Sequence, residues 1–226
     1  MSPGRILFTA VYLLFWPVLI LVLAGDWRWL PGWIVGGWLV AVSATTITWL
    51  ARRDPGLLAE RYRMPGTGGQ SRRDQRIIYL VMVGFVAWIA LMPLDARRFH
   101  WTPPLPLVVA LVGEVFLVLS WFFLFRAFAD NPFGSALVRV QTERGHRVIT
   151  TGVYGWVRHP MYLGATLMFV GGPLVTGAAS ALIVGLALTV LVAVRSLDEE
   201  ALLTRELTGY EEYRRRVRYR LIPLVW

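Results

Sequence analysis

Read as apolar against polar positions, the chain resolves into long uncharged runs parted by short arginine-rich ones. Residues 6–24, 30–50, 77–94 and 105–125 are apolar runs, uncharged except for Glu114. A membrane-spanning helix needs about 20 such residues, so each run predicts one span, with Pro17 kinking the first. The first run also fits a signal peptide, with Arg5 as its basic flank and Val22-Leu23-Ala24 as a cleavage site. The spans behind it favour an uncleaved first helix. Residues 163–194 form an apolar stretch too long for one span. Gly171, Gly172, Pro173 and Gly177 punctuate its middle. This predicts a tight hairpin of a short fifth and a longer sixth helix, with both ends on one side.

In the tail, Leu203, Leu207, Tyr210, Tyr213 and Val217 recur at helical spacing and predict a helix with an apolar stripe. The expected fold is all-α: a polytopic membrane protein of about six transmembrane helices, the last two a hairpin, with a C-terminal cytoplasmic amphipathic helix. One integral-membrane domain is expected over 1–226, as a four-span scaffold (1–125) and a catalytic loop, hairpin and tail (126–226).

Composition sharpens the class. Charged residues are 16% and hydrophobic ones 56%, against about 25% charged in soluble domains; mean hydropathy is +0.55. This excludes a disordered chain, a nucleic-acid-binding module and a soluble dinucleotide enzyme. The net charge is +9 and every basic residue is arginine. Arginines crowd residues 51–76, the loop after the fourth span and the tail. The bias toward basic cytoplasmic loops puts all three segments, and both termini, on the cytoplasmic side; Arg97 and Arg98 run mildly against it. With no cysteine, disulfides, thiolate nucleophiles and Cys-ligated zinc are excluded. Residues 55–76, through Gly66-Thr67-Gly68-Gly69, read as a short interfacial helix and a flexible turn, and Trp27, Trp29, Trp33 and Trp101 as an interfacial belt.

Candidate chemistry gathers in residues 126–162, which hold two of the three histidines and five arginines. Pro160 suits the first turn of a helix, so Arg158 and His159 fall at the start of the fifth helix. There, free amides and the helix dipole favour an anion and Arg158 adds a bidentate donor. The sixth helix runs into Asp198-Glu199-Glu200. Acids are unfavourable at a helix C-terminus, so either the helix continues or the acids have another task. A hairpin brings Arg158 and His159 to face Glu199 and Glu200 across one pocket. The tail helix is then either a membrane-surface helix or a lid on that pocket. Glu114 sits mid-span, where an acid costs on the order of 2.5–3.5 kcal/mol. It reads as a functional acid or as a protonated one bonded to Ser120 or another helix.

The string His146-x-Val148-Ile149-Thr150-x-Gly152-x-Tyr154-x-x-x-Arg158-His159-Pro160-x-Tyr162-x-Gly164, followed by Glu199-Glu200 and Tyr210-x-x-Tyr213-x-x-x-Val217, resembles the isoprenylcysteine carboxyl methyltransferase and phospholipid methyltransferase group. Asn131-x-Phe133-x-Ser135-x-x-Val138-Arg139-x-Gln141 and the closing Val217-Arg218-Tyr219-Arg220-Leu221-Ile222-Pro223 resemble a bacterial branch of it. The likeness covers about 126–226 and departs from the pattern at Val153, where relatives often carry proline. It implies methyl transfer from S-adenosylmethionine (SAM) to a lipophilic acceptor, such as the carboxylate of an isoprenoid-type or other lipid. The pocket would face the cytoplasm in a bacterial inner membrane, with the lipid bilayer as a partner and neither nucleic acid nor metal required. By position, Gln141, His146, Gly152, Tyr154, His159, Tyr162, Gly164, Glu199, Tyr210 and Tyr213 would bind the cofactor, and Arg158, Glu199 and Glu200 would be catalytic. A carboxylate acceptor needs only orientation by Arg158; an amine, phenol or thiol needs a base, for which Glu199 and His146 qualify. The alternatives are an NADPH-dependent membrane reductase of the sterol-reductase type, whose motif wants Asn where Met161 stands, and a non-catalytic membrane protein. Polar residues crowding one membrane edge, rather than a midplane path, speak against the last.

Overall fold

The computed structural model describes residues 3–63, 66, 70–135 and 137–226, with side chains from residue 9 onward at the N-terminus. Among these residues there are α-helices and short 3-10 and π turns but no strand. The helices are α1 (Pro3–Ala24), α2 (Leu30–Arg53), α3 (Pro55–Arg61), α4 (Arg72–Pro93), α5 (Leu107–Asp130), α6 (Pro160–Thr176), α7 (Ala179–Glu206) and α8 (Tyr210–Arg216). Of the described helices, α2, α4 with its π-helical continuation to Phe99, α5 and α7 are long and apolar enough to cross a membrane. Two shorter apolar segments, Thr9–Ala24 and α6, accompany them. Four of the six expected spans are thus among the long helices, and α1 is itself 22 residues long. α6 has 17 residues, about 25 Å at 1.5 Å per residue, against a hydrocarbon core of about 30 Å.

The hairpin is present, but its turn lies later than the glycines suggested. Only Gly177 turns, at φ 79°, while Gly171, Gly172 and Pro173 remain inside α6. They serve close packing instead. A Cβ on Gly113 of α5 would lie 2.8 Å from the Gly171 carbonyl, and one on Gly171 would lie 2.9 Å from the Gly113 carbonyl, so the two backbones touch as small-residue membrane interfaces do.

Two helix ends also differ from the pattern reading. α5 runs on to Asp130, its polar end carried by an i,i+4 pair, Arg126–Asp130 at 2.6 Å. α7 continues through the acids to Glu206. The tail stripe therefore divides, with Leu203 on α7, Tyr210 and Tyr213 on the short α8, and Leu207 and Val217 just beyond helix ends. Its residues still bury together, against Val140 and Val148 of the loop.

Trp88, Ile89 and Met92 of α4 are fully buried among Phe169 of α6 and Leu188 of α7, at the centre of the core. Outward faces are apolar and exposed, as Val83, Leu107, Val118 and Ile183 show, which suits lipid contact rather than water. At one end of the bundle Arg97 pairs with Asp26 at 2.8 Å, and Asp95 accepts from Thr102 and Ser180. The basic loops and the tail gather at the other end. Trp29 is buried in the core rather than in an interfacial belt, whereas Trp27, Trp33 and Trp101 are exposed. Ser120 does not meet Glu114; its Oγ donates to the Gly164 carbonyl at 2.6 Å and ties α5 to α6. The turn expected at residues 66–69 lies outside the described residues except for Gly66.

Candidate active site

Because α6 and α7 are consecutive antiparallel helices, the start of one lies beside the end of the other. Arg158 Nε donates to Glu200 Oε1 at 2.6 Å, and His159 Nε2 lies 3.2 Å from the same oxygen. The Tyr162 hydroxyl donates to Glu199 Oε2 at 2.7 Å and is itself 3.2 Å from Arg195 Nη1. Arg195 also binds Asp74 of α4 at 2.7 Å. The polar groups of α4, α6 and α7 thus meet at one level.

Beside them opens a cavity with about 760 Å³ of empty space, the solvent at its mouth included. Eight of the twelve candidate site residues line it: His146, Tyr154, Arg158, His159, Tyr162, Glu199, Tyr210 and Tyr213. Among the other lining residues, Phe133 and Arg139 belong to the upstream motif, Leu203 to the apolar stripe, and Arg147 and Met161 fall within the polar 126–162 segment. His146 stacks on Phe133 with ring centroids 4.6 Å apart, and His159 on Tyr162 at 5.4 Å. Burial pushes the phenols of Tyr154, Tyr210 and Tyr213 above their ordinary range. All three are neutral rings at physiological pH.

Gln141, Gly152, Gly164 and Glu200 do not reach the cavity wall, each for a local reason. Gln141 is fully buried and braces the loop, donating to the Phe133 carbonyl at 2.7 Å and accepting from Arg144 at 2.9 Å. Gly152 has φ 61°, and a Cβ there would lie 2.0 Å from Asp130 Oδ2; the same carboxylate accepts from Val153 N at 2.9 Å. A proline at 153 would have no hydrogen to give. Gly164 packs on Leu124. Glu200 is 4% exposed at its side chain, against 27% for Glu199. It gathers Arg158 and, at 2.9 Å, Arg220 of the tail.

The helix start is less open to anions than expected. The Arg158 and His159 amides donate to the Tyr219 and Arg220 carbonyls at 2.9 and 3.0 Å, and the Tyr162 amide returns to the His159 carbonyl. The Arg158 guanidinium donates from Nη1 to the Val217 and Arg218 carbonyls, both at 2.8 Å, and from Nε and Nη2 to Glu200. Four of its five N–H groups are occupied, so Arg158 has little left with which to orient an acceptor. His146 also changes role. Its Nδ1 accepts from Gln141 N at 3.2 Å, which places the proton on Nε2. Burial lowers its pKa, so it is a neutral donor toward the cavity rather than a base.

A further anchor comes from α3, read from sequence as a surface linker. Glu60, 4% exposed, accepts from Arg139 Nε and Nη2 at 2.9 and 3.0 Å and from Ser135 at 3.1 Å. The bond to Arg139, working against burial, holds the Glu60 carboxyl below its ordinary range. The loop bearing Phe133 and Arg139 is thereby pinned to the four-span half. A partner 79 residues away left no local signal. Among the described residues, no group of three or more His, Cys, Asp and Glu side chains is placed to hold a metal ion.

Comparison with known proteins bears on this geometry. The model of the isoprenylcysteine carboxyl methyltransferase (ICMT) family matches residues 108–205, so the resemblance read in the sequence holds over that segment. A Delta(14)-sterol reductase of Mus musculus is 28% identical over 162 residues, covering 66% of this chain and 39% of that protein. The protein-S-isoprenylcysteine O-methyltransferase of Schizosaccharomyces pombe is 33% identical over 85 residues, 37% of this chain and 36% of that one. The chain thus spans well under half the length of these two curated relatives. A solved structure of the eukaryotic intramembrane Ras methyltransferase ICMT superposes with a TM-score of 0.62 at 19% identity, over 96% of this chain and 75% of that one. That likeness establishes a shared membrane fold.

Proposed function

We propose that this chain is a membrane methyltransferase that moves a methyl group from SAM to a lipophilic acceptor, a carboxylate of an isoprenoid-type or other lipid, at the cytoplasmic membrane face. The observation that carries the reading is the Tyr162–Glu199 bond at the edge of an aromatic cavity, inside the segment that matches the methyltransferase family.

The cavity's chemistry suits the cofactor. When bound, SAM supplies a methyl group on a positively charged sulfur. The neutral faces of Tyr154, Tyr210 and Tyr213 would hold that cation through cation–π attraction, each worth about 0.5–2 kcal/mol. The His146 Nε2 hydrogen and the exposed Arg147 at the rim would take a carboxylate. Glu199, fixed through one oxygen by Tyr162, has its other oxygen for an amine or ribose hydroxyls. Glu200 and Arg158 would act by holding the tail against the loop. Methyl transfer is an in-line displacement, so positioning and exclusion of water would supply most of the acceleration. For an acceptor that carries a proton, Glu199 is the base the cavity offers.

The likeness to a Delta(14)-sterol reductase supports the second reading, an NADPH-dependent reductase. NADPH carries phosphates that need several uncommitted cations. Here Arg139 and Arg158 are spent on Glu60 and Glu200, which favours the less anionic SAM. Calorimetry on detergent-purified protein with S-adenosylhomocysteine (SAH) and NADPH separates the two. The expected result is SAH binding and weak NADPH binding; tight NADPH binding with no response to SAH reverses the assignment.

A further inference from the structure

Every arginine that is partly or fully buried among the described residues sits within salt-bridge distance of an Asp or Glu, with the exception of Arg61. It closes α3 and lies partly buried, with Cζ 4.5 Å from the centroid of the Phe128 ring and Nη1 3.7 Å from the Met161 sulfur. A ring face and a thioether are weak acceptors that leave the charge uncompensated. Its chain neighbour Glu60 is already committed to Arg139, Arg63 and Ser135. Burial, followed by repulsion from Arg195, lowers the Arg61 pKa to about 10, so it remains a cation at pH 7. Met161 lines the cavity, so Arg61 stands one side chain behind its wall. A desolvated cation without a counter-ion is costly unless an anion arrives to pair with it.

The geometry points to Arg61 as the seat for the anionic head of an amphiphile, a carboxylate or phosphate, entering the cavity past Met161. The seat deepens the methyltransferase reading by naming the group that holds the acceptor's charged end, a task the saturated Arg158 is poorly placed to perform. Its chemistry is that of a guanidinium binding an oxyanion through paired N–H donors. The apolar floor of Leu50, Leu57 and Phe128 beside it suits the first carbons of a lipid chain. Either the acceptor's own carboxylate or the phosphate of a bilayer lipid would satisfy it.

The test uses purified full-length protein in phosphatidylcholine nanodiscs, titrated with hexadecanoate, hexadecyl phosphate and hexadecanol. Wild type is expected to bind at least one anionic amphiphile about 10-fold more tightly than the alcohol. Arg61→Gln is expected to erase the difference, Arg61→Lys to keep part of it, and neither to change SAH affinity. Preference for the carboxylate assigns an acceptor seat. Preference for the phosphate, lost on adding phosphatidylglycerol to the nanodisc, assigns a lipid headgroup. Should Arg61→Gln not fold, Met161→Glu places a carboxylate beside the guanidinium and is expected to abolish the preference by self-pairing. Discrimination that survives in Arg61→Gln or Met161→Glu, or that is missing in wild type, overturns the seat. Failure of wild type to bind SAH would instead sink the methyltransferase reading and leave the amphiphile result standing.

Discussion

The Tyr162 hydroxyl donates to Glu199 Oε2 at 2.7 Å across the gap between two antiparallel helices, and it is the polar contact of the α6 start that lies at the cavity edge rather than behind it. Tyr162→Phe keeps the ring stacked on His159 and removes both the donor to Glu199 and the acceptor for Arg195. A hydrogen bond to a charged group is worth about 1.5–3 kcal/mol of stability, while Arg195 keeps its pairing with Asp74. The variant is therefore expected to fold while methyl transfer falls about 10–100-fold, since Glu199 loses its fixed orientation. Steady-state rates beside a melting curve check it; a wild-type rate would remove the pair from the mechanism.

Glu199 and Glu200 are neighbours with different expected phenotypes. Glu199→Ala opens space at a partly exposed position and should leave the fold intact while abolishing turnover. Glu200→Ala leaves Arg158 and Arg220 without their shared carboxylate, and unpairing a buried ion of this kind costs about 3–5 kcal/mol. Limited proteolysis should show the segment after residue 206 released in Glu200→Ala and protected in Glu199→Ala. Equal protection in both would show that the tail is held by its backbone contacts alone.

Gly152→Ala meets two obstacles at once: a left-handed backbone, worth about 1–2 kcal/mol against a residue with a side chain, and a carboxylate 2.0 Å from the new Cβ. A drop in melting temperature of several degrees is expected, since about 1 kcal/mol moves a domain of this size by roughly 2–4 °C. Asp130→Ala combined with Gly152→Ala should recover part of the loss by removing the clash. No recovery would assign the cost to the backbone alone.

His146 gives the site a pH dependence with a definite sign. Its folded-state pKa lies below the ordinary imidazole value of 6.5, chiefly through burial. Above pH 6.5 the ring is neutral folded or unfolded, and its contribution to stability is complete. As the pH falls from 6.5 toward the lower folded value, the unfolded chain takes up a proton that the folded one does not, and stability declines. His146→Gln should flatten that part of a stability–pH curve. The Glu60 carboxyl, held below its ordinary 4.5 by Arg139, contributes stability that is lost only in more acid solution, as the pH falls below that value. A curve for His146→Gln that overlays wild type between pH 5 and 6.5 would exclude the assignment.

The membrane architecture was legible because apolar runs and glycine punctuation are local. The meeting of Arg158 and His159 with Glu199 and Glu200 follows from the hairpin alone. What local patterns do not carry is competition for donors. Arg158 reads as free beside Pro160, yet the Val217 and Arg218 carbonyls, about 60 residues on, absorb its hydrogens. The reach of α5 to Asp130 depends on Arg126 and on the Val153 amide, and α3 looks like filler until Glu60 is seen to hold Arg139. The glycines of α6 look like a turn for the converse reason: residues that break a helix in water let two helices touch in lipid.

The shortness of α6 has a consequence for its surroundings. A helix about 5 Å shorter than the hydrocarbon slab, with none of its residues exposed, can stop inside the slab because its neighbours rather than lipid surround it. Ending at its Arg158 side, it would set the cavity mouth below the headgroup level. A substrate tethered by its tail would then meet the protein without being lifted out of the leaflet, and bilayers of longer acyl chains should slow its capture.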